Sequence, residues 1–218
     1  NSIQIKGGSQ YILAQNNFFK DSGTRIVHIG GSTGLQYFRP EVQTFEAKDI
    51  IVAGNTFIGG EAQIAWVTAQ DSHVHHNLFY YPQKWLGRIL QETKNPQFKP
   101  SQKGFFEKNL IVTNEQVKVY FNVGKGTDPD SFVIRENLWF RPGGNSKPNL
   151  PTFEKGGTYG VDPMIMPMAD GSLQINSADS QVLSVGPHAY TPWEYKRDFA
   201  DVDIPKVIVP KQEFSFWE

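Results

Sequence analysis

The sequence predicts an all-β chain built as a solenoid of short repeated coils, and two recurring blocks and one missing pattern predict it. The segments YILAQNNF, IIVAGNTF, SHVHHNLF, GFFEKNLI and FVIRENLW superpose on an asparagine followed two residues later by a large apolar side chain. The asparagines are Asn16, Asn55, Asn77, Asn109 and Asn137, with Phe18, Phe57, Phe79, Ile111 and Trp139 after them. Leu13, Val52, Val74, Phe106 and Ile134 stand three residues before, a strand alternation running into a bend. A second block, TRIVHIGG, AQIAWVTA, GRILQETK and VKVYFNVG, follows each of the first four asparagines, and the opening NSIQIKGG fits it as well. Amphipathic helical periodicity is missing from the first 156 residues, which disfavours alternating strand and helix repeats.

Each element follows from these blocks. Aligning the second block places Ile3, Ile26, Ile64, Ile89 and Val119 in one inward column. Val27, Ala65, Leu90 and Tyr120 are then expected outside, and His28, Trp66, Gln91 and Phe121 inside. The asparagines are separated by 39, 22, 32 and 28 residues. One solenoid turn needs roughly 20–25, so the surplus is expected as loops at 32–48, 93–103 and 124–131, all rich in Gly, Pro, Asn and charge. Coils are expected over 1–156. A closing coil, with a strand around Leu173 to Ile175, and an extended capping tail are expected over 157–218.

Composition narrows the function classes. The chain has 218 residues and a net charge of −1, so bulk positive charge does not recommend a nucleic-acid partner. There is no cysteine, which removes disulfides, thiolate nucleophiles and Cys-ligated zinc. Apolar runs are far shorter than the roughly 20 residues that span a bilayer, so no membrane partner is expected. Aromatic residues make up 13% of the chain, with 16 Phe, and point to an aromatic core.

The column of asparagines at tight bends resembles the right-handed parallel β-helix repeat family, the pectate-lyase-like superfamily, over about residues 1–140. A stacked asparagine makes physical sense, since each amide can bond the next at the strand spacing of about 4.8 Å. The resemblance implies a secreted or periplasmic protein acting on a polysaccharide, first of all a lyase on an acidic, uronate-containing polymer. A glycoside hydrolase on the same scaffold and a non-catalytic carbohydrate-binding or structural solenoid are the alternatives. Because NSIQIKGG already reads as mid-coil, N-terminal coils and a cap are expected to be lacking, supplied by a preceding segment or a second chain of the same protein.

Candidate site residues come from the second block and its loops. Ser2, Arg25, Gln63, Arg88 and Lys118 precede the inward column, three of them cationic, and a cationic ladder could match successive carboxylates. For β-elimination, Arg25 and Arg88 are expected to neutralise the uronate, His28 or Arg88 to act as base, and Tyr37 to protonate the leaving oxygen. Arg39, Trp85, Lys118 and Tyr120 join Arg25 as expected substrate-binding residues, Trp85 as a stacking platform and Arg39 as a carboxylate grip. A covering tail or neighbouring subunit is the structural rival, because this face is more apolar than an open groove requires.

Glu46 with Asp49, or Glu92 with Glu61, are the pairs a hydrolase would need. His73 and His75 are expected side by side on an outward face, with neighbours Ile51, Ala53, Phe105 and Glu107, too few ligands for a metal site. Asp128 and Asp130 in TDPDS lack the further acidic positions of a calcium loop, so calcium stays an alternative to the expectation of no cofactor.

Overall fold

The computed structural model describes residues 1–192. Nineteen strands and one four-residue helix occur among them, and the chain visits three parallel sheets in turn, an arrangement compatible with a parallel β-helix. In the first coil β1 (Ile3–Ile5) belongs to sheet A, β2 (Ser9–Gln15) to sheet B and β3 (Phe18–Lys20) to sheet C. The second coil is β4 (Arg25–Gly30), β5 (Ala47–Ala53) and β6 (Thr56–Ile58), and the third β7 (Ala62–Val67), β8 (Ala69–His75) and β9 (Leu78–Tyr80). The fourth is β10 (Trp85–Leu90), β11 (Gln102–Glu107) and β12 (Leu110–Val112), and the fifth β13 (Phe121–Val123), β14 (Val133–Arg135) and β15 (Leu138–Phe140). Short strands β16 (Glu154–Lys155) and β17 (Thr158–Tyr159) close sheets B and C. An antiparallel pair, β18 (Ile165–Pro167) and β19 (Leu173–Ile175), and α1 (Ser180–Leu183) follow.

The coils are tied together at the corner between sheets B and C. The side-chain oxygen of Asn55 accepts from the backbone N–H and the amide of Asn17, both at 2.9 Å. Asn77 does the same for Asn55, Asn109 for Asn77, and Asn137 for Asn109, at 2.9–3.0 Å. From Asn55 to Asn137 the asparagines are fully buried. The first rung is Asn17 and not Asn16, and the apolar partner two residues on is Phe19, paired with Phe57, while Phe18 is half exposed. In the doublet Asn16-Asn17 the first residue takes the bend itself, at φ 56°, as Gly54, His76, Lys108 and Glu136 do on later coils. Asparagine is among the few L-residues that tolerate this left-handed conformation.

Strand alternation beside this corner sends Ala14, Val52, Val74, Phe106 and Ile134 inward from sheet B. Sheet C contributes Phe19, Phe57 and Phe79 as an offset stack, with centroids 5.0 and 4.8 Å apart. Trp66 of sheet A fills the centre, edge-on to Phe106 and Phe132. Fully burying each such side chain contributes roughly 1.5–3 kcal/mol, so the core supplies the bulk of the driving force.

Sheet A departs from the expected alignment. Val27 pairs with Ile64, which pairs with Gly87, which pairs with Phe121. Ile26 and Leu86 occupy a separate inward column at the corner, with Gln63 between them bonding the carbonyls of Gly59 and Tyr80. Two successive columns therefore face inward, and matching aliphatic residues slips the register. Gly87 hides the true column, because a Cβ there would lie 2.8 Å from the Phe121 ring. Val27 and Tyr120 consequently sit in the core rather than outside, and His28 faces outward rather than in.

The segment 161–190 packs against the coils from outside. Val182 and Val185, with Ile165, Leu173 and Ile175 beside them, cover the outward leucines Leu78, Leu110 and Leu138 of sheet C. Tyr190 rests on Leu13, Ile51 and Ala53, and its hydroxyl donates to Gln15. The tail expected to cap the solenoid falls mostly on 193–218, outside the described residues.

Removing a mid-ladder amide strands several buried partners at once. Asn77→Ala is expected to cost about 3 kcal/mol or more, and Asn17→Ala on the half-buried first rung only about 1 kcal/mol, in urea unfolding. Equal losses would mean that the ladder is not what fixes the coils.

Candidate functional site

The outer face of sheet A gathers most of the candidate residues. Its outward column runs Gln4, His28, Ala65, Arg88 and Asn122 across the five coils. Arg25 and Trp85 lie at the strand starts, each in register with Ala62. Because of the double inward column, Arg25 and His28 project to the same side although three residues apart. A guanidinium N–H of Arg25 faces Nε2 of His28 at 3.2 Å, and its other arm pairs with Glu92 at 2.7 Å.

Trp85 is the centre of a second group. The Arg88 guanidinium lies 4.5 Å from its ring centroid and the Lys84 ammonium 4.2 Å. A cation over an indole contributes roughly 0.5–1 kcal/mol when exposed and about 2 when desolvated. Arg88 also donates from Nε to Asn122, and Lys84 pairs with Glu61 at 3.5 Å. Burial, and then Arg25, draw the Arg88 guanidinium below its ordinary value. Three cations, two carboxylates and one indole thus share this face.

His28 is placed for support rather than for contact with a ligand. It is 3% exposed, and Nδ1 faces the side-chain amides of Asn1 and Gln4. An arginine can only donate, so the contact with Arg25 takes the lone pair of Nε2. Burial first, then the charge of Arg25, hold the imidazole down to about 4. Its lone pair is occupied by Arg25, which removes the expected role as a proton-abstracting base.

The remaining candidates are dispersed. Tyr37 is 69% exposed, on a short turn of helix at Leu35–Tyr37, and among the described residues no hydrogen bond or ring contact joins it to Arg88 or His28. Arg39 is spent on its own loop, donating to the carbonyls of Gln36 and Phe38. Lys118 is exposed but precedes β13 and shares no column with Arg25 or Arg88, so the expected cationic ladder is not formed. Tyr120 is in the core, edge-on to Trp139 with its hydroxyl on Thr113, so it cannot bind substrate. Ala65, Val67 and Leu90 make a small buried apolar cluster on the same outward side as Arg88.

The acidic candidates separate as well. Glu46 is fully buried and accepts from Gly7 N–H, Thr33 N–H and the hydroxyls of Thr33 and Thr93, so it knots three coils together and has no spare capacity for chemistry. Glu61 and Glu92, by contrast, both reach the Trp85 cluster. His73 and His75 do align with Ile51, Ala53, Phe105 and Glu107. His73 stacks flat on Phe105, and His75 faces His76 at 2.9 Å. No group of three or more His, Asp or Glu is placed to hold a metal ion among the described residues.

Sequence reasoning missed Lys84 and Asn122. Lys84 was legible as the neighbour of an outward tryptophan, whereas Asn122 required the correct sheet register. Compared with known proteins, the chain matches no protein-family model, no curated sequence and no solved structure.

The depressed histidine gives a pH dependence with a definite sign. An unfolded-chain histidine titrates near 6.5 and folded His28 near 4, so between those values the unfolded state binds more protons. Stability is expected to be level above pH 6.5 and to fall as pH drops toward 4, by up to about 3 kcal/mol from this residue. Unfolding measured across that range should lose about half of its slope in His28→Gln, since burial holds the His75 imidazole down to about 4 as well; an unchanged slope would remove the assignment.

Proposed function

We propose that the chain is a right-handed parallel β-helix of the pectate-lyase-like kind, and that it acts on an acidic, uronate-containing polysaccharide by β-elimination in a secreted or periplasmic setting. The observation that supports this reading is the Trp85 indole holding Lys84 and Arg88 against its ring, beside Arg25. The two cations cover the indole ring, so a uronate unit would be held through its carboxylate, which a guanidinium takes by two parallel hydrogen bonds.

In the elimination a base takes the C5 proton, the C4–O4 bond breaks, and the electron pair forms a C4=C5 double bond conjugated to the carboxylate. The departing oxygen receives a proton. Arg25 and Lys84 would neutralise the carboxylate and so acidify the C5 proton. Arg88 takes the base role ahead of His28, since burial and Arg25 weaken its hold on its proton, the direction that role requires. The departing O4 would take its proton from solvent, since Tyr37 stands on an exposed turn with no contact to Arg88 or His28 among the described residues. Hydrolysis is the second reading, favoured by Glu61 and Glu92 standing on the same cluster.

Turnover of a panel of uronate polymers, followed by the ultraviolet absorbance of unsaturated uronate and by new reducing ends, separates the readings. Elimination predicts both signals, with Arg88→Ala losing about a hundredfold or more in kcat and Trp85→Ala chiefly raising KM. Reducing ends without absorbance would favour hydrolysis. Neither signal, with no binding to any uronate polymer, would remove the proposal.

A further inference from the structure

A cleft of about 360 Å³ opens on the outside of sheet C, away from the Trp85 cluster. Its floor is an outward column in which Tyr80, Val112 and Phe140 follow one another on three successive coils. Met164 and Met166, both more than half exposed, stand over that floor from the β18 strand and the turn before it. Tyr81 lies against Tyr80 with ring centroids 4.2 Å apart and planes tilted by 37°. Two polar groups complete the lining. Asp162 accepts from Met164 N–H through one carboxylate oxygen, and Asn176 stands beside it, its backbone N–H bonded to the Met164 carbonyl.

We infer that this cleft binds one neutral pyranose unit, at a site independent of the sheet A reading. The volume is at the low end of ordinary small-ligand pockets, roughly 300–1,000 Å³, which suits a single ring. Among the lining residues there is no Lys, Arg or His, and the one charge is Asp162, so a uronate or phosphate would meet an uncompensated carboxylate. Tyr81 covers one side of the Tyr80 ring, which leaves the floor of Tyr80, Val112 and Phe140 as the apolar face for the C–H side of a sugar. Burial, and then Tyr81, push the Tyr80 phenol up to about 12, so it is a neutral hydroxyl at any working pH. Asn176 and Asp162 together offer a donor and acceptors for neighbouring sugar hydroxyls. An organic ammonium would also accept a carboxylate and aromatic rings, but it needs ring faces turned toward it from several sides, and Tyr80 and Tyr81 instead lie against one another.

Saturation-transfer NMR on the full chain, with the methyl pyranosides of galactose, glucose and mannose, tests the site. Methyl galacturonide and tetramethylammonium serve as the competing probes. At least one neutral pyranoside is expected to receive saturation and to lose about tenfold in affinity in Tyr80→Ala. The exposed, separate variant Asn176→Ala should weaken the same pyranoside by about threefold or more with unfolding unchanged. No transfer to any neutral pyranoside, equal transfer in both variants, or transfer only to the galacturonide or the ammonium would overturn the inference. Loss or absence of neutral pyranoside binding leaves turnover of uronate polymers at sheet A untouched, so the two proposals fail separately.

Discussion

The buried amide ladder is the constraint on which the other columns depend. Each rung presents one oxygen to two donors of the rung before it, the backbone N–H and the side-chain amide, so the ladder has a direction. A directional ladder must end on something that accepts without needing to donate. Gly157 stands where a further asparagine would, and a Cβ there would lie 2.5 Å from the Glu154 carboxylate that takes its place. Glu154 accepts from Asn137 through one oxygen and from Trp139 and Tyr159 through the other. A carboxylate needs no further rung to bond, and it ties Trp139 and Tyr159 of sheet C into the same network.

This corner also decides where the chain can grow. Between sheets B and C the strands are separated by two residues on every coil. Between sheets A and B the linker is one residue, Thr68, on the third coil and spans 31–46 on the second. An insertion at the ladder would break two donors on each side, whereas one at the opposite corner lengthens a surface loop at little entropic cost. Two of the long loops still pack on each other, Phe38 edge-on to Phe98, and Glu46 holds their bases through Thr33 and Thr93. The expected loops were therefore legible from spacing, because the ladder keeps surplus residues away from its own corner.

The same asymmetry explains which registers could be read. His73 and His75 fall beside Ile51, Ala53, Phe105 and Glu107, since sheet B runs directly into the ladder and a motif match there fixes the whole strand. The doublet Asn16-Asn17 was the exception, because both residues suit the bend and only the buried Phe19 distinguishes them. Sheet A is separated from the ladder by variable linkers, so its alignment rested on apolar pattern alone. That pattern misleads where two columns face inward in succession and where a glycine makes room for an aromatic ring on the next coil. His28, Tyr120 and Lys118 were misplaced for this one reason, while Arg25, Trp85 and Arg88 reached the same face despite it.

On the proposed reading, the charge arrangement of sheet A works as a held but replaceable set. The Arg25–Glu92 pair lies near the surface, with side chains 18% and 35% exposed, and such pairs contribute roughly 0–1 kcal/mol. An incoming carboxylate can take the place of Glu92 without a large penalty. Arg25 itself should not wander when that happens, because the Nε2 lone pair of His28 stays on it. The lone pair persists only while the imidazole is neutral, and the burial that lowers its proton affinity keeps it so down to about pH 4. Protonation would set a second cation, buried away from water, against Arg25. The buried histidine is therefore better understood as what keeps a surface arginine aimed than as a group that meets substrate.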